Sequence, residues 1–440
     1  MKVVSIVRLV FLLALASVIA SAEVHSLTLQ QALELAAKQN PDVTLARLDQ
    51  QRAEEGVYIA LDPFRPKVWA GSGLAYTYGY PNPIAGSAPS IINIRTDMAI
   101  YDRSKKLSLE SARATARGYA SGTQDKAEEV AYQAADMFLN ASQLEHDDEQ
   151  LTQELPSLQK VVDVMSASVK EGSELPVEVT RARVNLQDVQ VRLSSNKLDA
   201  DYYEMMLAIA VGYSATDRVK PVDSSTSNIE VPMTEDAAAD SALLNNGELR
   251  QMQSNVLARQ LDLRSYHAER FPKFDLVAQY ALFDKANYEQ YFQKFQRNNA
   301  QLGASISIPI FAGAAIKGYV AQARTDLQKM QLQMDQTRNR ILSDTRRSYE
   351  QWQKAEQLRE LARMQLQLAR EDLSVLLAQN GEGRVPLSRV ETARLEENNR
   401  WIALYDAETQ VTRAKLAILR QTGTLLAAIH NAGPQPVSRP

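Results

Sequence analysis

Between Tyr319 and Asn380 the chain runs for 62 residues without a glycine or a proline. Those two residues are the ones that interrupt helices, glycine by its backbone freedom and proline by its missing N–H and its clash with the preceding turn. The uninterrupted stretch predicts a single helix of roughly 93 Å. Leu387 to Thr422 is a second run of 36 residues without either breaker. Helices beyond about 25 residues point to coiled coil or helical repeat. Val320, Leu327, Met334, Ile341, Ala355, Ala362, Ala369 and Leu376 follow one seven-residue spacing, interrupted by Ser348. That spacing is a coiled-coil seam, and its alanines allow close packing.

The plan occurs twice. "NPDV" (Asn40 to Val43) and "RPKV" (Arg65 to Val68) stand 206 positions before "NGEL" (Asn246 to Leu249) and "FPKF" (Phe271 to Phe274). "EGSELPVEVTRAR" at Glu171 to Arg183 matches "EGRVPLSRVETAR" at Glu382 to Arg394 in Gly172/Gly383, Val179/Val390, Ala182/Ala393 and Arg183/Arg394. A period of about 200 residues is far longer than the 20 to 50 of solenoid units and reads as a duplicated half-molecule. The expected domains are a first repeat over 23–213, a connector over 214–235, a second repeat over 236–423 and a polar tail over 424–440. Each half reads as a helix, two strands, a very long helix, a Gly/Pro break and another helix. The first half's long segment contains Gly118, Gly122 and Pro156, and the proline is expected to kink or break it.

The strands are expected at about 66–80, 91–101, 272–283 and 301–311. Each alternates, as in Leu302, Ala304, Ile306, Ile308 and Ile310 against Gln301, Gly303, Ser305 and Ser307. Globular strands average about 5 to 6 residues, whereas transmembrane strands run about 9 to 11 with an apolar outer and a polar inner face. Aromatics gather near strand ends and loops (Trp69, Tyr76, Tyr78, Tyr80, Tyr101, Tyr280, Phe283, Tyr288, Tyr291, Phe292), where a membrane barrel places its girdles. Arg95, Asp97, Lys273 and Asp275 fall on the polar face and are candidates to wet a lumen. A soluble sandwich with one wet face is the other reading of the strands alone. Four strands cannot enclose a water path, and open edges cannot face lipid, so strands in a membrane require several copies of the chain.

Met1 to Ala22 reads as a secretory signal, with Lys2 and Arg8, an apolar run from Leu9 to Ala20 and an Ala20-Ser21-Ala22 cleavage site. The mature chain is then expected to begin near Glu23 and to be exported. With no cysteine, disulfides, thiol catalysis and a lipidated N-terminal Cys are excluded. The net charge of −4 argues against nucleic acid as a partner. His25, His146, His267 and His430 are scattered without metal-ligand spacing, and no phosphate-binding loop occurs. "EHDDE" (Glu145 to Glu149) reads as a solvated helix face. Ser194-x-x-Lys197 lacks the companion motifs of penicillin-binding enzymes. No catalytic residue, cofactor or metal site is expected.

Taken in order, "SLTLQQALELAAKQNP", the joint "SIPIFAGAAIKG", the breaks "EGSELPVEV" and "GEGRVPLSRV", and the duplication resemble the TolC-type outer-membrane efflux family (outer-membrane factors). The resemblance covers essentially the whole mature chain. It implies an α+β membrane protein of the Gram-negative outer membrane. Three copies would build a 12-stranded barrel, four strands per chain, continued by an α-helical coiled-coil barrel through the periplasm, with a small equatorial domain. The function implied is passive export in a tripartite efflux or type I secretion system. The implied partners are two further copies, outer-membrane lipid, a periplasmic adaptor (membrane fusion) protein and, indirectly, an inner-membrane pump or ABC transporter. The competing class is a soluble periplasmic coiled-coil scaffold without conductance. The resemblance makes the breaks adaptor-contacting tips: Gly172, Ser173, Glu174, Leu175 and Pro176, then Gly381, Gly383, Arg384, Val385 and Pro386. It places a constriction nearby at Glu178, Arg389, Glu391 and Thr392, where some members carry aspartates. That departure leaves two readings in place of an acidic ring: a mixed ring of Glu178 and Arg389, paired, or an ordinary surface ion pair worth about 0 to 1 kcal/mol. "IYDRSKK" also lacks the glycines of "IFAGAAIKG", so the two strand-to-helix passages are expected to differ.

Overall fold

The computed structural model describes residues 23–74, 90–172, 175–222, 229–284, 296–310 and 314–432. Helices are α1 (Leu29–Gln39), α2 (Pro41–Leu61), α3 (Arg103–Lys170), α4 (Pro176–Ala210), α5 (Glu235–Asn245), α6 (Gly247–Ala268), α7 (Ala315–Gly381), α8 (Leu387–Thr422) and α9 (Leu425–Ala432). Strands are β1 (Val24–Leu27), β2 (Lys67–Gly73), β3 (Ser90–Tyr101), β4 (Arg218–Pro221), β5 (Lys273–Phe283) and β6 (Asn298–Ser307). The sequence α1-α2-β2-β3-α3-α4 has its counterpart in α5-α6-β5-β6-α7-α8. The paired helices have near-equal lengths: 11 and 11, 21 and 22, 68 and 67, 35 and 36 residues.

The chain divides into two compact units, and each expected half contributes to both. One comprises the chain up to Leu45, Gln124–Asn246 and Arg340 onward; the other comprises Ala46–Thr123 and Gly247–Asn339. The second unit holds an antiparallel sheet in the order β2-β3-β5-β6. Its register decides what each face carries. Ile94 stands opposite Ala70 and Tyr280, Met98 opposite Leu276, Phe274 opposite Ile306, and Ala278 opposite Leu302. Directly opposed residues share a face, so these form one apolar surface. A bulge between Ala99 and Tyr101 turns Tyr101 onto it opposite Phe274, with the two rings 6.0 Å apart. The strand expected at 301–311 begins earlier, at Asn298, and ends at Ser307, so Ile308 and Ile310 lie beyond it. Of the strand expected at 66–80, 67–73 is strand, and Tyr76, Tyr78 and Tyr80 lie outside the described residues.

In the same unit α3 packs closely against α6. A Cβ at Gly122 would stand 2.8 Å from the Gln251 side chain, and one at Gly118 would stand 3.1 Å from Asn255. The two glycines that make the first half less regular in sequence are thus sites of close approach. Helix α3 also continues through Pro156, so the break expected there does not occur. In the second half the joint at 311–313 lies outside the described residues. In the first half Asp102, 2% exposed, caps α3 by accepting the Lys105 backbone N–H at 3.1 Å. A capping carboxylate stands there where the other half has glycines.

The other unit contains the largest core, in which Leu33 and Ala36 of α1 meet Phe138, Leu207, Leu416 and Leu425. Thr28 and Gln31 form a capping box at the start of α1. The expected polar tail is corrected here: Leu425 and Ile429 of α9 are buried in this core. The expected connector contains β4, which pairs in parallel with β1. On α7, Ile341, Ser348, Ala355, Ala362 and Ala369 of the expected seam are buried. Thr345, Leu366 and Leu373 complete a second buried row at the alternating three- and four-residue spacing of a heptad.

Two matched clasps close this unit. Asn40, after α1, donates its Nδ2 to the Ala210 carbonyl at the end of α4, at 2.9 Å. Asn246, after α5, donates its Nδ2 to the Gln421 carbonyl at the end of α8, at 3.0 Å. Beside each stands a glycine in the left-handed region, Gly212 at φ 88° and Gly423 at φ 65°. A Cβ at Gly423 would stand 2.7 Å from the Asn245 carbonyl oxygen. Gly423→Ala therefore combines backbone strain with a backbone clash. It is expected to cost about 1–3 kcal/mol, read as a lowered thermal-unfolding midpoint in detergent.

Candidate functional site

Three regions carry the residues singled out in the sequence. On the sheet, the register puts Arg95, Asp97, Lys273 and Asp275 on the face opposite the apolar one. Arg95 faces Trp69 and Gln279, Asp97 faces Lys67 and Val277, Asp275 faces Ala99 and Ser305, and Lys273 faces Ser307. Arg95 and Asp97 lie 3.7 Å apart. Lys273 reaches Glu269 at 3.4 Å and Asp102 at 3.9 Å, which ties the polar face to the first turn of α3. On the other face Leu302 is 79% exposed, Val68 69% and Ile306 62%, an apolar surface uncovered in the single chain. Among the described residues, β2 and β6 have no outer strand partner.

The second region is the pair of helix breaks. Gly172 (φ 75°) and Gly383 (φ 70°) take left-handed conformations that end α3 and α7. The Gly383 and Arg384 backbone N–H groups donate to the Asn380 and Gln379 carbonyls, both at 2.9 Å. Asn380 also donates its side-chain amide to the Val385 carbonyl at 2.8 Å. Pro176 opens α4 and Pro386 caps α8, positions where a proline sacrifices no helical hydrogen bond. Leu175, Gly381 and Arg384 are exposed, and Arg384 pairs with Glu382 at 3.0 Å. Ser173 and Glu174 lie outside the described residues.

Beside the breaks, Glu178, Arg389, Glu391 and Thr392 line one cavity of about 130 Å³, floored by Val161, Met165 and Ala182. Within the single chain Glu178 and Arg389 do not pair. Glu178 instead accepts from Arg181, one turn along the same helix, at 2.8 Å to both carboxylate oxygens. Helical spacing supplies that partner locally, without the cost of bridging two helices. Glu391 takes a hydrogen bond from Ser157 at 3.3 Å and lies 3.6 Å from Arg394.

The third region is a set of buried carboxylates that sequence reading missed. Glu128 of α3, 4% exposed, accepts the Leu425 backbone N–H at 2.9 Å and holds the start of α9. Burial pushes its carboxyl up to about 7, against the downward pull of the Leu426 and Leu425 N–H groups and of Arg420. "EHDDE" is likewise not a solvated face, because Asp147 is buried. Burial foremost, and then Asp406, raises it to about 7. A helical-wheel count around 145–149 would have shown one of five positions turned inward. Among the described residues no group of three or more His, Cys, Asp or Glu side chains could hold a metal ion. Among the described residues no helix is long and apolar enough to cross a membrane.

Long helices and a sheet with one apolar and one polar face recur in solved outer-membrane channels. Part of the chain matches a known family. Residues 238–424 match the family model described as outer membrane efflux protein. Outer membrane protein TolC of Escherichia coli (strain K12) is 25% identical over 358 residues, which span 73% of this chain and 67% of TolC. Outer membrane efflux protein BepC of Brucella suis biovar 1 (strain 1330) is 20% identical over 91% of this chain and 86% of BepC. The crystal structure of CusC superposes with a TM-score of 0.73 at 13% identity, over 90% of this chain and 92% of CusC. Over residues 238–424 in sequence, and over nine-tenths of its length in fold, the chain is similar to outer-membrane efflux channels.

Glu128 fixes the sign of a pH effect. Its carboxyl is protonated in the folded chain and ionised in the unfolded chain between about pH 4.5 and about 7. The folded state thus binds more protons there, so stability falls as pH rises through that window. The effect is on the order of 3 kcal/mol for a shift of this size. Glu128→Gln is expected to make the fall in unfolding midpoint between about pH 5 and 7.5 shallower than in the wild type.

Proposed function

We propose that this chain is the outer-membrane channel and periplasmic tunnel of a tripartite efflux or type I secretion system, and that it exports solutes passively. The observation that carries this reading is the sheet. One register collects its apolar residues on an exposed face and its charged residues on the other, and its two outer strands lack partners among the described residues. In hydrocarbon an unpaired strand edge costs several kcal/mol per group, so the edges must be closed by further copies. Three copies give twelve strands, enough to surround water, whereas two give eight, a barrel just filled by its own side chains. Arg95, Asp97, Lys273 and Asp275 then face the lumen, and Val68, Leu302 and Ile306 face lipid.

The matched element lengths of the two halves support a duplicated origin, which doubles the strands and helices each copy supplies. The glycine-ended breaks are the adaptor-docking tips, through the exposed Leu175, Gly381 and Arg384. Glu178, Arg389, Glu391 and Thr392 mark the narrow end of the tunnel. Its charge is mixed: Glu178 and Glu391 each have an arginine within 4 Å in the same chain. Energy for export comes from a pump in the inner membrane, because the chain carries no nucleotide-binding motif.

Purified protein added to a planar bilayer is expected to give stepwise conductance. Ile306→Arg is expected to cost about 2–4 kcal/mol at the bilayer midplane and to reduce membrane insertion sharply, while Ser305→Arg on the opposite face inserts normally and changes conductance. A protein that fractionates as a soluble monomer, and whose Ile306→Arg variant behaves like the wild type, would be the scaffold instead.

A further inference from the structure

Within the unit that contains the helix breaks, three helices converge on buried charge that the channel reading does not use. Helix α3 contributes Asp147, 9% exposed, and Glu154. Helix α8 contributes Asp406, and α4 contributes one half-buried cation, Arg192, whose field reaches all three carboxylates. The Arg192 guanidinium donates to the Asn399 side-chain oxygen at 3.3 Å. The carboxylates are left with neutral donors: Gln143 to Asp406 at 2.6 Å and Asn398 to Glu154 at 2.5 Å. Asp147 Oδ1 and Glu154 Oε1 are buried without a hydrogen-bond partner. Leu151, Val189 and Ile402, one from each of the three helices, pack together in an apolar cluster of the same bundle.

Of the surrounding groups, His146 pulls the Asp406 carboxyl down when it is charged, and no cation besides Arg192 acts on Asp147. Lys197 of α4 acts on Asp148, which Asn196 also serves, and Glu391 of α8 adds negative charge near Glu154. The ring of His146 stacks on Tyr405 at 3.9 Å, next to Asp406. Three carboxylates beside one arginine cannot all ionise in a desolvated site, because like charges there must share protons.

We propose that Asp147 and Asp406 hold one proton between them while α3 and α8 are packed together, and that its release to water pushes these helices apart, so that their spacing follows pH. Both carboxyls are raised by burial, Asp147 further by Asp406, which places the release near neutrality. As regulation of a tunnel the idea rests on the channel reading above; as a property of helix packing it does not.

The absence of cysteine makes a clean test available. Glu149→Cys on α3 and Glu408→Cys on α8, both exposed positions, carry spin labels whose separation is read by pulsed electron resonance. Between about pH 5.5 and 8.5 the wild-type background should show a shift to longer, broader separations centred near neutrality. Asp147→Asn and Asp406→Asn should each abolish that shift. A separation independent of pH overturns the proposal, as does a shift that survives in both variants. If the variants fail to fold, the wild-type titration decides alone. Loss of bilayer conductance with the spacing shift intact would count against the channel reading and not against the proton pair.

Discussion

A single register holds the sheet to its task. Side chains in a strand alternate between faces, so sliding β3 by one residue along β5 would send Ile94 and Met98 to the charged side and Arg95 and Asp97 to the apolar side. The bulge at Ala99/Tyr101 helps fix the alignment, and it falls at the end where the strand hands over to α3. There Asp102 and Lys273 link the last turn of strand to the first turn of helix. The strands and helices are thus set by one alignment, and the charge on the polar face is positioned by the same hydrogen bonds that expose the apolar one.

The helical part obeys a different constraint. A helix of 67 or 68 residues has far more surface than one partner can cover, and the chain responds with small residues. The buried rows of α7 are largely alanine, serine and threonine, and α3 uses Gly118 and Gly122 where α6 comes closest. Small side chains let backbones approach but contribute little transfer free energy each, about 0.8 kcal/mol per buried CH₂. Cohesion then depends more on local polar links between helices, such as Arg420 with Asp125 at 3.0 Å and Arg370 over the Trp401 ring at 4.6 Å.

What could be read from the sequence was what local pattern encodes. The bounds of α8 follow from Pro386 and Gly423, the two faces of the strands follow from alternation, and the helix breaks follow from a glycine three or four residues before a proline after a long helix. What could not be read depends on distant partners. β1 and β4 are four residues each, paired across about 190 positions, with no turn signal between them. Helix α9 is eight residues long, and its N-terminus is held by a carboxylate 297 positions earlier in the chain. Asp147 looks like one charge among five until Asp406 and Arg192 are placed beside it. Glu178 found an arginine three residues along its own helix, a pairing visible in "EVTR" but passed over in favour of a longer-range one.

The two asparagine–glycine clasps have a mechanical consequence. They pin the C-terminal ends of α4 and α8, so the proline-started ends are the far arms of two levers. With 35 or 36 residues at 1.5 Å each, the arm is roughly 53 Å, so a rotation of about one degree at the root moves the far end by about 0.9 Å. A rearrangement at the clasp too small to disturb a hydrogen bond is therefore amplified at the far end to nearly an ångström. Stiffness at the root and reach at the tip come from the same uninterrupted helices.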